Sequence, residues 1–189
     1  MSLRALLLPA LAFLLLPHSA PALTVADRDF ADLVARAEQI IVGTVIAVDQ
    51  GENERGGPMT FVTFDDLTVL KGDVAPPFVL QIHGGTTRDG VVMHVPDLPT
   101  FRTGERAVLF VRGNGTDFCP LVGIWQGRFT VRHDAERGVD VVENHDGSVI
   151  TGLAAGELQS AQRRAAGSRA LTLDEFGDLV REELAHPSK

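Results

Sequence analysis

Hydrophobic and polar positions change their period twice along the chain. Near the start, apolar residues recur at helical spacing behind Asp29, which is suited to cap a helix. From residue 40 onward the period shortens to two, which is typical of β-strands with one buried face. The helical period returns only near the end. The apolar residues at helical spacing behind Asp29 are Phe30, Leu33, Val34, Ala37 and Ile41.

Alternation over the middle of the chain predicts a series of short strands separated by Gly- and Pro-containing turns. In the second of them, residues 60–70, the apolar positions change parity near Asp65 and Asp66, which indicates a β-bulge. Residues 121–132 alternate strictly and predict one long strand. The predicted strands cover residues 40–48, 60–70, 78–83, 91–95, 107–111, 121–132, 139–142 and 148–153.

The C-terminal part has a different character. Residues 154–170 are rich in Ala, Gln, Arg and Gly and have little apolar periodicity, so we expect a linker or a weak helix there. Thr172 and Glu175 then have the spacing of a capping box, which predicts a helix within residues 171–189. Its apolar stripe should pack on the strand-rich body. The stripe consists of Leu173, Phe176, Val180 and Leu184.

Together these patterns predict a mainly β protein: a small antiparallel OB-like β-barrel with a helix at each end. A two-sheet β-sandwich is the alternative. The predicted organisation is a signal peptide (1–22), a barrel domain with its N-terminal helix (23–153), a linker (154–170) and a C-terminal helix packed on the barrel (171–189).

The first segment has the features of a cleavable signal peptide. Arg4 precedes an apolar run over residues 5–16, and Ala20 and Ala22 are small residues at the positions that a signal peptidase reads. The run is too short to cross a bilayer, which takes about 20 residues. We therefore expect cleavage after Ala22, export to the periplasm or the medium, and no membrane span after cleavage.

Composition narrows the range of functions. The chain has 189 residues and a formal net charge of -8, and this acidity argues against binding to nucleic acid, whose phosphates require a basic surface. A single cysteine, Cys119, excludes intramolecular disulfides and multi-cysteine metal centres. We expect either a free thiol that is partly buried or an intermolecular disulfide. No cofactor is predicted.

Two sets of side chains are candidates for binding. Gln126, Arg128 and Arg132 should line the polar face of the long strand, and OB-like barrels often bind ligands on such a face. His83 and His94 also fall on polar-face positions and could converge if their strands pair. A metal site usually needs three or four ligands at close spacing, so metal binding by these histidines is only an alternative.

Several motifs resemble an uncharacterised class of exported bacterial β-barrel domains, distantly similar to the OB fold of netrins and tissue inhibitors of metalloproteinases. They are Val69-Leu70-Lys71-Gly72, Gly84-Gly85, Val108-Leu109-Phe110 and Val122-Gly123-x-x-Gln126-Gly127-x-Phe129. The likeness extends over roughly residues 29–132. It implies the fold, but the inhibitors act through an N-terminal cysteine, and Leu23 would stand there in this chain.

No pattern typical of a nucleophile, of paired carboxylates or of a phosphate-binding loop is present. The sequence therefore predicts a non-enzyme: an exported binding or interaction module whose partner is an unknown protein or small ligand of the cell envelope or medium. The alternatives are an inhibitor or accessory domain of a secreted metalloprotease and a metal-binding protein using His83 and His94. The ligand and the oligomeric state stay open.

Overall fold

The structure is a computed structural model and describes residues 28–163 and 168–187. The predicted signal peptide lies outside the described residues. The helices are α1 (Phe30–Arg36) and α2 (Leu173–Ala185), and one turn of 3-10 helix covers Ile124–Gly127. The strands are β1 (Gln39–Glu52), β2 (Pro58–Lys71), β3 (Phe78–His83), β4 (Gly85–Thr86), β5 (Val92–Met93), β6 (Arg106–Val111), β7 (Arg128–Asp134), β8 (Val139–Glu143), β9 (Val149–Ala154) and β10 (Glu157–Ala161).

Eight of the strands form one antiparallel sheet in the order β10-β9-β8-β7-β6-β1-β2-β3, while β4 and β5 form a separate two-stranded ribbon. Strand residues make up 44% and helical residues 15% of the described part of the chain, so the predicted mainly β fold with two helices is confirmed. The prediction of a closed barrel is wrong, because the sheet ends in two edge strands, β10 and β3. Its eight strands also belong to one hydrogen-bonded sheet rather than two.

The bulge predicted from the parity change near Asp65 and Asp66 is confirmed. Where β1 advances from Val42 to Thr44, β2 passes one extra residue between their partners. Asp66 has a φ of 53°, in the left-handed region that bulges use. Such bulges increase the twist and coiling of long strands. The sheet is therefore curved, and apolar side chains are buried on both of its faces.

One hydrophobic cluster lies on the sheet face that carries both helices. Phe30 of α1 and Phe176 of α2 meet there with ring centroids 5.9 Å apart, and each also approaches Phe110 of β6 edge-on. The Thr172 hydroxyl accepts from the Glu175 N–H, while the Glu175 carboxylate accepts from the Thr172 N–H, so the predicted capping box is present. The C-terminal helix therefore packs on the β body.

The second cluster lies on the opposite face, inside the curl of β1, β2 and β3. Phe64 of β2 packs edge-on against Phe101, which comes from the long connection between β5 and β6, at 5.6 Å between centroids. This connection, residues 95–101, thus crosses a face of the sheet that would otherwise be exposed. It also lines the groove described below.

The segment expected to be a linker or weak helix, residues 154–170, is not one throughout. Its first part pairs back on β9 as strand β10, after a turn at Ala155 and Gly156. An edge strand with mostly exposed side chains needs few apolar residues, so its polar composition hid it.

Candidate functional site

The predicted strand over residues 121–132 is interrupted in the structure. Gly123 and Ile124 both have positive φ, 65° and 60°, so the chain leaves the extended conformation and makes the 3-10 turn before β7 begins at Arg128. Trp125 is therefore half-buried on a turn and does not share a core-facing strand with Phe129. Alternation alone did not reveal this, because glycine also occurs within strands.

Gln126 points inward and does not line a wet polar face, contrary to the prediction. It is only 9% exposed, and its Oε1 accepts a hydrogen bond from the backbone N–H of Arg28 at 3.0 Å. A buried amide needs such partners to offset the loss of water. Gln126 thus joins the 3-10 turn to the segment that leads into α1.

The guanidinium of Arg128 is ion-paired with Glu105, and the side chains of both residues are only 16% exposed. The same guanidinium lies over the ring of Phe101, 4.6 Å from its centroid. The pair leaves little net charge at this position. Arg128 therefore fixes the position of residues 95–101 relative to β7.

Arg132 lies four residues further along β7 than Arg128 but belongs to a different ion-pair network. Its Nε contacts the Glu143 carboxylate at 2.6 Å, and Arg163 contacts the other oxygen of the same carboxylate at 2.6 Å. Glu143 is almost fully buried. The structure does not bring Gln126, Arg128 and Arg132 together as one binding surface. Gln126 and Arg132 hold the fold, and of the three only Arg128 lines a groove beside the connection between β5 and β6.

His83 and His94 line the same cavity, of about 570 Å³, between β3 and the β4–β5 ribbon. The His83 ring stacks on Phe118 with centroids 5.2 Å apart, whereas His94 is exposed. Within residues 28–163 and 168–187, no group of three or more His, Cys, Asp or Glu side chains is placed to hold a metal ion. Asp97 lines the same cavity, but these described side chains do not come together as a metal-binding group.

A groove of about 720 Å³ is the candidate site, and we call it the Trp125 groove. Its lining includes the aromatic rings of Trp125, His145 and Phe118 and residues 95–100 of the connection between β5 and β6. Cys119, Ile124 and Arg128 complete the lining. Phe118 is 49% exposed, which is unusual for so large an apolar side chain.

Trp125 is held in place by the turn between β8 and β9. The His145 ring stacks on the Trp125 indole with centroids 4.1 Å apart and planes at 29°. Next to it, the Ser148 hydroxyl and N–H both donate to Asp146 and keep the pKa of its carboxyl below the usual value. The turn is thereby fixed by a charged acceptor that stays ionised at neutral pH.

Cys119, the thiol lining this groove, is partly buried, as expected. Burial raises the pKa of the Cys119 thiol above its ordinary value, although a backbone hydrogen bond from Leu121 acts against this. A nucleophilic cysteine needs the opposite shift, toward the thiolate. The geometry therefore fits an apolar lining group.

Sequence reasoning missed three residues of this region: Glu105, Phe118 and His145. The predicted strands 139–142 and 148–153 indicated a turn between them, but nothing local shows that this turn lies against Trp125. These contacts depend on the order of the strands in the sheet, which a single sequence does not reveal.

Compared with protein-family models, curated proteins and solved structures, the chain matches none. In the parts of the chain that the structure describes, neither helix is long and apolar enough to cross a membrane.

Proposed function

We propose that this protein is an exported binding or interaction module of the bacterial cell envelope or extracellular space, and that the Trp125 groove is its binding site. The observation that carries the proposal is the aromatic lining of the groove. Trp125 and His145 are stacked, and the exposed Phe118 ring lies in the same lining. Aromatic side chains offer large contact areas at low cost in conformational entropy and are enriched where proteins bind partners.

The charges around the groove favour a neutral or weakly charged ligand. Glu105 neutralises Arg128, so the groove does not offer a free guanidinium for a phosphate or carboxylate. The remaining charged lining group is Asp97, on the connection 95–100. Apolar and aromatic contacts would therefore supply most of the binding free energy.

A non-catalytic role is supported by how the polar lining groups are used. The Arg128 guanidinium is committed to Glu105, and partial burial of the Cys119 thiol favours its protonated form. The inhibitor and metal alternatives gain no specific observation from the fold or the groove. The sequence motifs imply a distant resemblance to an OB-like fold, and the proposed binding role does not depend on it.

A capture experiment with matched variants tests the proposal. The protein lacking residues 1–22 is immobilised and exposed to a periplasmic extract and to concentrated medium from the producing bacterium. A component retained by the wild type and by V92A, but lost with the double variant W125A/F118A, supports the groove. Val92 is a suitable control because it is 68% exposed on the ribbon, outside the groove. Equal retention by all three proteins would contradict the proposal.

A further inference from the structure

The outer edge of β3 is closed by a loop, residues 112–118, that acts in place of a further strand. Asn114 supplies both kinds of hydrogen bond: its Nδ2 donates to the Val79 carbonyl at 2.8 Å, and its Oδ1 accepts from the Gln81 N–H at 2.9 Å. The His83 N–H donates to the Phe118 carbonyl at 3.2 Å. Edge strands with unpaired backbone groups pair readily with other chains, so this contact protects β3.

Asn114 is followed by Gly115, and this distinguishes it from the other asparagines. Asn53 precedes Glu54 and Asn144 precedes His145. Gly115 has no Cβ to obstruct its own backbone nitrogen, and its φ of 85° shows a conformation that favours glycine. Its nitrogen therefore meets the least steric hindrance in reaching the Cγ of the preceding side chain.

We propose that Asn114 is a site of spontaneous deamidation that controls the β3 edge. The Gly115 nitrogen loses its proton and forms a bond to Asn114 Cγ. The Cγ–Nδ2 bond then breaks, and the leaving NH2 group takes up one proton and departs as ammonia, which produces a cyclic imide. Water then opens the imide at either carbonyl and leaves aspartate or isoaspartate. No oxidant or reductant takes part, and the only co-reactant is water.

The closed edge and the reaction exclude each other. While the edge is closed, Oδ1 and Nδ2 are both held by β3, and the amide plane is not free to turn its Cγ toward the Gly115 nitrogen. Deamidation therefore requires the loop to open locally, as exposed loops do more readily than core strands.

After deamidation the edge does not close as before. The carboxylate has no N–H to donate to Val79, and its oxygen would face the Val79 carbonyl at the former hydrogen-bond distance. Isoaspartate also adds a methylene group to the backbone of the loop. Each opening that ends in deamidation thus leaves the β3 edge available to a strand of another chain.

Peptide mapping by mass spectrometry tests the reaction. The protein is incubated in mildly alkaline buffer, with and without urea, and amide-to-acid conversion is followed at all three asparagines. In urea we expect Asn114 to convert about tenfold faster than Asn53 or Asn144, and in native buffer its conversion should slow by about tenfold or more because the loop is closed. Equal rates at the three sites in urea, or equal rates at Asn114 in both buffers, would overturn the proposal.

The product is tested directly with N114D, and N53D serves as the control because Asn53 also accepts backbone hydrogen bonds but lies in the β1–β2 loop. In N114D the amides of Gln81 and His83 should exchange with deuterium about tenfold faster than in the wild type, whereas N53D should leave them unchanged. Unchanged exchange in N114D would show that deamidation does not open the edge.

Discussion

His145 stacks on Trp125 across two segments that are far apart in the sequence, with ring centroids 4.1 Å apart. The contact joins the β8–β9 turn to the 3-10 turn before β7. Part of the aromatic lining of the Trp125 groove therefore exists only because two separate connections are held together. Trp125 is the chain's only tryptophan, so tryptophan fluorescence measures changes in the environment of the groove.

Removing the His145 ring should change the environment of Trp125 without unfolding the protein. His145 is exposed and covers part of the indole, so H145A should let water reach Trp125 and shift its fluorescence emission to longer wavelength. H133A is the control, because His133 contacts Asp140 at the other end of β7. An unchanged emission spectrum in H145A would show that the stacking does not persist in solution.

A side chain at Gly127 should destabilise the fold. A Cβ there would lie 2.5 Å from the Val122 carbonyl oxygen and 3.2 Å from that of Phe110, and neither backbone group is able to move freely. We expect G127A to lower the free energy of unfolding by about 1–3 kcal/mol. A Cβ at Gly152 meets nothing within 4 Å, so G152A should change the free energy of unfolding by less than about 0.5 kcal/mol. Urea denaturation measures both values, and equal losses would contradict the packing described for the 3-10 turn.

Glu143 should contribute to stability through its two arginines. Its carboxylate is buried and contacts Arg132 and Arg163, whose side chains are 35% and 50% exposed. Since water screens the exposed arginines, we expect E143Q to cost about 1–3 kcal/mol, less than a fully buried pair would. E136Q changes an exposed glutamate in the neighbouring turn and should cost nothing measurable. If E143Q leaves the free energy of unfolding unchanged, the network adds no stability.

Acid should weaken the fold through Asp146 and Glu175. Ser148 holds the pKa of Asp146 down, and the Thr172 N–H, followed by Arg169, does the same for Glu175. A lowered folded-state pKa stabilises the protein above the unfolded-state value, near pH 4, and this contribution is lost as the pH falls through the folded-state value.

The urea midpoint should therefore fall between about pH 5 and pH 3, and D146N should reduce that decrease. In D146N the side-chain oxygen still accepts from Ser148, but it no longer titrates. D73N is the control, because Asp73 is exposed and no hydrogen bond to its carboxylate occurs among residues 28–163 and 168–187. If D146N and wild type lose stability in parallel, Asp146 does not contribute to the acid sensitivity.

Local sequence signals predicted the local features of this fold well. Asp29 caps α1, Thr172 and Glu175 form their capping box, and the parity change at Asp65 and Asp66 marks a real bulge. Each of these features is decided by residues a few positions apart. The two helices and the bulged second strand could therefore be predicted from the sequence.

Features set by long-range pairing were predicted less well. Gly123 and Ile124 interrupt the predicted strand, because the 3-10 turn and its contact with Arg28 outweigh a regular alternation. The ion pair between Arg128 and Glu105 likewise depends on β6 lying beside β7. Whether the sheet closes into a barrel also depends on such contacts, and here it does not close.

The most direct test of the central claim is site-specific photocrosslinking in cells of the organism that produces the protein. A photoreactive phenylalanine analogue is introduced at Phe118, on the exposed part of the groove, or at Val92 on the ribbon, and the adducts are compared after irradiation. If the Trp125 groove is the binding site, a discrete adduct forms from position 118, it is absent from position 92, and W125A weakens it. No adduct at position 118, or the same adducts from both positions, would contradict the account.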